Sequence, residues 1–189
     1  MINDKDIIEL IKGGKSYLQK NDMNGFFSYV PSWYRTAVIE FFLNRTSIPI
    51  FNYMTEIPDR FLEESRNIKQ IMIPGNVKKI GRNAFDSSSL VQVDMEPGVE
   101  LLGSECFYNC KDLEVINLSD TIKAIPNLAF AGCTNLKKIF LPDSIQIIGS
   151  EAFTGCEDVE IVANYRQADK IRAKKADYEF LKKHLKFTH

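Results

Sequence analysis

The apolar positions of this chain fall in columns. Phe107, Phe130 and Phe153 stand 23 residues apart, and Phe85 precedes Phe107 by 22 because the segment Phe85 to Leu90 is one residue shorter than its equivalents. In register, the successive segments read IMIPGNVKKIGRNAFDSSSL, VDMEPGVELLGSECFYNCKDL, INLSDTIKAIPNLAFAGCTNL and IFLPDSIQIIGSEAFTGCEDV. One column is Ile71, Val93, Ile116, Ile139; the next is Ile73, Met95, Leu118, Leu141. Val77, Val99, Ile122, Ile145 and Ile80, Leu102, Ile125, Ile148 follow, then small Ala84, Cys106, Ala129, Ala152 ahead of the phenylalanines. Leu90, Leu113, Leu136 and Val159 close each segment. Agreement at so many fixed offsets marks a stack of repeats rather than an ordinary globular core.

The local pattern predicts what each repeat forms. Alternating Ile-x-Ile ahead of a Pro, Asp or Gly corner makes a short strand with two side chains turned inward. Successive strands then pair in parallel at about 4.8 Å, with like residues stacked in ladders. The fold class expected is an α/β-repeat solenoid, mostly β, right-handed, of about five turns of 23 residues. A weaker copy, Ile48, Ile50, Met54, Ile57, Phe61, Leu62 and Ile68, places its start near residue 46. Gly81, Gly103 and Gly149 sit where a sharp corner or a positive φ suits glycine, although Pro58 and Pro126 occupy equivalent places.

The pattern I-x-L-P-x-x-I-x-x-I-G-x-x-A-F-x-x-C resembles the BspA-like class of leucine-rich repeats and covers roughly residues 46–164. The resemblance implies a scaffold with a binding habit. The class binds proteins and matrix components, often on bacterial or protist cell surfaces, and has no shared catalytic residues.

Apolar ends of a repeat stack need covers. Residues 1–45 are expected to form a helical N-terminal cap, 46–164 the solenoid and 165–189 a basic helical C-terminal cap. Asn3 and Asp6 resemble a helix start ahead of Ile7, Ile8, Leu10 and Ile11, with Gly13 and Gly14 interrupting it. A second helix is expected from Ser32, bringing Trp33, Ala37 and Phe41 together at i, i+4 beside Tyr34, Val38 and Phe42 to cover the first repeat. The tail lacks Gly and Pro from Tyr165 onward and carries Ala168, Ile171, Ala176, Tyr178, Phe180, Leu181 and Leu185 at helix-compatible positions.

Composition adjusts this picture in few places. A chain of 189 residues with 44% hydrophobic content sustains one core. The net charge of −1 gives the whole molecule no pull towards polyanions. The tail, however, holds eight Lys/Arg against three Asp/Glu, net +5, which leaves −6 on the first 164 residues. The start is charged from Asp4 onward, unlike a secretory signal, and no apolar run reaches the roughly 20 residues of a membrane span. A cytoplasmic protein without membrane contact is therefore expected.

Little points to chemistry. Cys110, Cys133 and Cys156 share one column, as a reduced thiol ladder would, and their spacing matches no usual zinc site. The histidines, His184 and His189, both lie in the tail, so a nucleophile in the solenoid would lack the commonest general base. Glu63 and Glu64 are adjacent, hence badly placed to share a site. No phosphate loop or dinucleotide fingerprint occurs. No catalytic, cofactor or metal residue is assigned.

The binding surface is read from strand alternation. The middle residue of each Ile-x-Ile must face outward, which gives Pro49, Met72, Asp94, Asn117 and Phe140, flanked by Gln70, Gln92, Val115 and Lys138. Met72 and Phe140 are the expected anchors. Five strands of about 17 Å at about 4.8 Å spacing give roughly 400 Å², half of one side of a standard interface. The expected function is therefore that of an adaptor or inhibitor binding another protein through this face and its caps. Two alternatives remain: nucleic-acid or ribonucleoprotein binding through Arg166, Lys170, Arg172, Lys174, Lys175, Lys182, Lys183 and Lys186, and a fragment of a surface adhesin. A second outward column, Leu101, Ala124 and Ile147, offers a strip suited to a homodimer.

Overall fold

A computed structural model describes residues 54–167 and 170–188, with isolated positions before them: Glu9, Leu10, Gly13, Gly14, Gly25, Phe26, Tyr29, Val30, Arg35, Val38 and Ile39. The strands in chain order are β1 (Glu56–Ile57), β2 (Gln70–Ile73), β3 (Lys79–Ile80), β4 (Gln92–Met95), β5 (Leu101–Leu102), β6 (Val115–Asn117), β7 (Ala124–Ile125), β8 (Lys138–Phe140), β9 (Ile147–Ile148), β10 (Glu160–Asn164) and β11 (Leu185–Thr188). Helix α1 (Lys175–His184) lies between the last two strands. The long sheet has the order β2-β4-β6-β8-β10-β11, and a second face carries β1-β3-β5 and β7-β9. All pairings are parallel and in the repeat register: Ile71 meets Val93, Val93 meets Ile116, and Ile116 meets Ile139.

The inward columns form one continuous core. Ile73, Val77, Ile80, Leu90, Leu113, Ile125 and Leu136 are wholly enclosed. Phe85, Phe107, Phe130 and Phe153 stack along the axis with ring centroids 5.1, 5.5 and 5.4 Å apart and nearly parallel planes. That spacing follows from the strand repeat of about 4.8 Å, and the four rings act as a spine.

The corners work differently from the sequence expectation. Gly81, Gly103 and Gly149 do not have positive φ; a Cβ on Gly103 would lie 2.5 Å from the carbonyl carbon of Gly81, and one on Gly149 2.5 Å from the Asn127 nitrogen. Glycine is needed there for close approach of neighbouring turns. The left-handed backbone lies two residues later, at Asn83, Glu105, Leu128 and Glu151, with Arg60 in the preceding turn.

At the N-terminal end, Glu9, Leu10 and Gly13 are helical, as are Gly25, Phe26 and Tyr29, and Arg35, Val38 and Ile39. Gly13 is still helical and Gly14 stands in a turn. Side chains at Gly13 and Gly14 would collide with Tyr29 and Phe26, so these glycines let another helical segment pack close. Phe26, Val30, Val38 and Ile39 join the core. The expected helix start at Asn3 and Asp6, the aromatic stripe of Trp33, Tyr34, Phe41 and Phe42, and Ile48, Pro49 and Ile50 lie outside the described residues.

The C-terminal segment departs from an all-helical tail. Among the described residues of the tail, after a 3-10 turn over Tyr165–Gln167, α-helix occupies Lys175–His184 alone. Before it, Arg172 bridges Ile147 on the second face. After it, Leu185–Thr188 alternates apolar and polar residues at period two and joins the long sheet, pairing Leu185 with Ile161 and Phe187 with Ala163. The tail thereby extends the stack to about six turns. Asp177 Oδ1 accepts the Glu151 N–H at 2.8 Å, and the His184 ring stacks on Phe180 while its Nδ1 donates to the Val159 carbonyl at 2.9 Å.

Candidate protein-binding face

Register decides which side chains reach solvent. Cross-strand pairing aligns Met72 with Asp94, Asp94 with Asn117, and Phe140 with Val162. Alternation turns Met72, Asp94, Asn117 and Phe140 out of the core, and Gln70, Gln92, Val115 and Lys138 flank them as expected. Met72 is 55% exposed and Phe140 58%, high for large apolar side chains on a sheet. Val162, next in the same column, is buried, so the exposed column breaks at β10 and resumes at Lys186.

The centre of the face is held rigid by polar contacts. Asp94 accepts hydrogen bonds from Gln92 Nε2 at 2.7 Å and from Asn117 Nδ2 at 2.5 Å. Three strand spacings separate Met72 from Phe140, about 14 Å. Two apolar anchors thus flank a fixed carboxylate–amide pair. At the far end Lys138 pairs with Glu160 at 2.9 Å, and its ammonium lies 5.1 Å from the Phe140 ring centroid. Phe140, Val115, Asn117 and Asn135 shape a shallow depression. Strands of three to five residues make the face slightly smaller than the sequence estimate: six of them cover roughly 360 Å², against the roughly 800 Å² per partner of a stable interface.

The second outward column is also where alternation places it, with Leu101 and Ile147 exposed and Ala124 half-buried between them. Of the tail cations, Arg166, Lys170, Arg172, Lys174, Lys182, Lys183 and Lys186 are exposed, while the Lys175 side chain is outside the described residues. They do not form one helical face. Arg166 sits in a 3-10 turn, Arg172 in a bridge, Lys182 and Lys183 on α1 and Lys186 on β11.

The cysteines form the ladder their column predicts. Cys110, Cys133 and Cys156 are buried and donate to the carbonyl oxygens of Phe85, Phe107 and Phe130 at 3.0, 3.1 and 3.0 Å. Burial pushes the Cys156 thiol up to about 12 and the Cys106 thiol well above its usual range; Cys133 is raised by its bond with Cys110 and by burial. Such thiols carry almost no thiolate at neutral pH. Among the described residues no three His, Cys, Asp or Glu side chains cluster as a metal site requires, and no helix is long and apolar enough to cross a membrane.

These features define a leucine-rich repeat solenoid. The chain belongs to the BspA-type leucine-rich repeat family, six copies of whose repeat match residues 42–174. No curated protein matches it. A leucine-rich cell surface protein of Faecalibacterium prausnitzii is similar in structure, with a TM-score of 0.52 and 29% identity over 63% of this chain and 36% of that one. The leucine-rich repeat protein of T. pallidum gives 0.53 and 25% over 63% and 56%. The chain therefore spans about a third of the first relative and just over half of the second.

Proposed function

We propose that this protein is a non-enzymatic binding module, an adaptor or inhibitor, that engages another protein through the outward face of its long sheet together with its caps. The observation that carries this reading is the pair Met72 and Phe140, apolar, more than half exposed and fixed about 14 Å apart across the hydrogen-bonded Asp94–Asn117 pair. Membership of a family of binding scaffolds and thiols held in their neutral form both favour binding over catalysis. Four unpaired cysteines favour the cytoplasm, where thiols stay reduced. The dispersal of the tail cations over four elements favours a protein partner over a nucleic acid, which a contiguous basic stripe would fit better.

A second reading, attachment at a cell surface, draws on the similar surface protein of Faecalibacterium prausnitzii. Both are tested by capture from the native host, with wild type compared with Met72→Asp/Phe140→Asp and with a Leu101→Asp control. The expected result is a protein retained by wild type and the control and lost from the double variant. Retention by all three, or capture of nucleic acid that disappears steeply with salt, would overturn the sheet-face reading. Immunolabelling of intact against permeabilised cells separates the two locations.

A further inference from the structure

Among the described residues, the last rung of the solenoid is only partly covered. Leu185 and Phe187 of β11 sit in register with Ile161 and Ala163, so they prolong the inward ladders of the long sheet by one rung. On the second face, Arg172 pairs with Ile147, which places Ala173 beside the inward Ile148. Leu185, Phe187, Ile171 and Ala173, with Tyr178 and Lys182 of α1, line a cavity of about 280 Å³. The helix covers this last rung only in part: Leu181 is buried, but Phe187 remains 41% and Tyr178 59% exposed. Among the described residues no strand pairs with the outer side of β11.

A free edge presents unpaired N–H and C=O groups, and an extended segment can add to it through main-chain hydrogen bonds while alternate side chains enter pockets. The cavity is at the bottom of the range of about 300–1,000 Å³ used by drug-sized ligands, which suits individual aliphatic side chains better than a whole small molecule. Charge sets the rest of the chemistry. Lys174, Lys182 and Lys186 are exposed and form no ion pair among the described residues, whereas Lys183 already acts on Asp158. Within the stack such lysines take a carboxylate from a neighbouring strand: Lys138 pairs with Glu160 of the following strand at 2.9 Å, and Lys79 with Glu56 of the preceding one at 3.5 Å.

We propose that this partly covered end binds an extended partner segment of alternating aliphatic and acidic residues, laid along β11 as a further strand. Its aliphatic side chains fill the cavity over Leu185 and Phe187, and its carboxylates, on the opposite side of the added strand, face Lys186. The site is separate from the Met72–Phe140 face, and either can fail without the other.

The test uses a fluorescein-labelled octapeptide of alternating valine and glutamate, followed by fluorescence anisotropy at physiological salt, with amide hydrogen exchange over Leu185–Thr188. Saturable binding and slowed exchange at β11 are expected. Lys186→Glu should weaken binding roughly tenfold or more and gain affinity for the valine–lysine octapeptide, and Phe140→Asp should change nothing. No saturable binding, equal binding of a proline-interrupted octapeptide, indifference to Lys186→Glu, or loss on Phe140→Asp would each overturn the proposal.

Discussion

The thiol of Cys156 donates a hydrogen bond to the carbonyl oxygen of Phe130, one turn back and 3.0 Å away. Cys133 and Cys110 repeat the contact on Phe107 and Phe85, and Ser88 takes the same place in the shorter first segment, 3.4 Å from the Cys110 sulfur. Each turn thereby satisfies a buried carbonyl of its predecessor beside the phenylalanine spine.

Burial of the Cys156 thiol carries a pH dependence. The folded Cys156 thiol is raised to about 12, against an ordinary 9.0. A raised pKa means that the fold favours the proton-bound form. The contribution is present in full below pH 9.0 and declines as pH rises towards 12, by about 1.4 kcal/mol per pH unit. Cys156→Ala removes the hydrogen bond and should cost about 1–2 kcal/mol at neutral pH. In urea unfolding, the gap between wild type and variant should narrow by about 1 kcal/mol at one unit above the ordinary thiol value. Parallel pH profiles would show that the thiol does not titrate differently in the two states.

Backbone strain gives a second prediction. Leu128 has φ of 56°, in a column whose other members are Arg60, Asn83, Glu105 and Glu151. Left-handed backbone costs an ordinary L-residue about 1–2 kcal/mol, and asparagine tolerates it best among residues with a side chain. The Leu128 side chain is only partly buried, so little packing is lost on replacement. Leu128→Asn should raise stability by about 0.5–1 kcal/mol in chemical denaturation. An unchanged or lower midpoint would mean that its packing outweighs the strain.

Gly149 is constrained by space instead. Its φ is not positive, so alanine would ordinarily stabilise by limiting the unfolded chain. Here a Cβ would lie 2.5 Å from the Asn127 nitrogen and 2.6 Å from the Pro126 carbonyl carbon, backbone atoms that cannot swing aside. Gly149→Ala should cost about 2 kcal/mol or more. Gly155→Ala is the informative comparison, because its Cβ would meet only ordinary contacts at 3.4 Å while φ is +81°. A loss at Gly149 that does not exceed the loss at Gly155 would refute the close-approach explanation.

Periodicity made the solenoid readable because one geometric unit is reused, so each column was sampled several times and chance matches cancelled. It also located the outward face, since alternation in a strand whose inward residues are known leaves no choice for Met72 or Phe140. The ends were harder for the same reason: each cap occurs once. Leu185-Lys186-Phe187-Thr188 carried a period-two signal, but four residues after a helix read equally well as its last turn. The helical segment containing Gly25 and Phe26 had no distinctive spacing, and its position follows from packing against Gly13 and Gly14. The separation of corner glycines from the left-handed column two residues later was not visible either, because Asn83, Glu105, Leu128 and Glu151 share no residue type.

If Met72 and Phe140 serve a partner rather than the fold, changing them should leave the isolated protein almost untouched. Both are more than half exposed. Neither side chain fills a cavity or satisfies a buried polar group, the usual sources of large losses. Replacement of Phe140 by aspartate should move stability by no more than about 0.5 kcal/mol, which for a chain of this size is a shift of about 1–2 °C in melting temperature, and Met72→Asp, whose carboxylate would stand opposite Asp94, by up to about 1 kcal/mol. Phe140→Asp adds a carboxylate next to Lys138 in place of the cation–π contact, so the charge finds a partner at once. The measurement is thermal unfolding of the single variants by circular dichroism. A loss several times larger would show that Phe140 or Met72 supports the sheet itself, and any loss of partner binding would then have to be credited to unfolding.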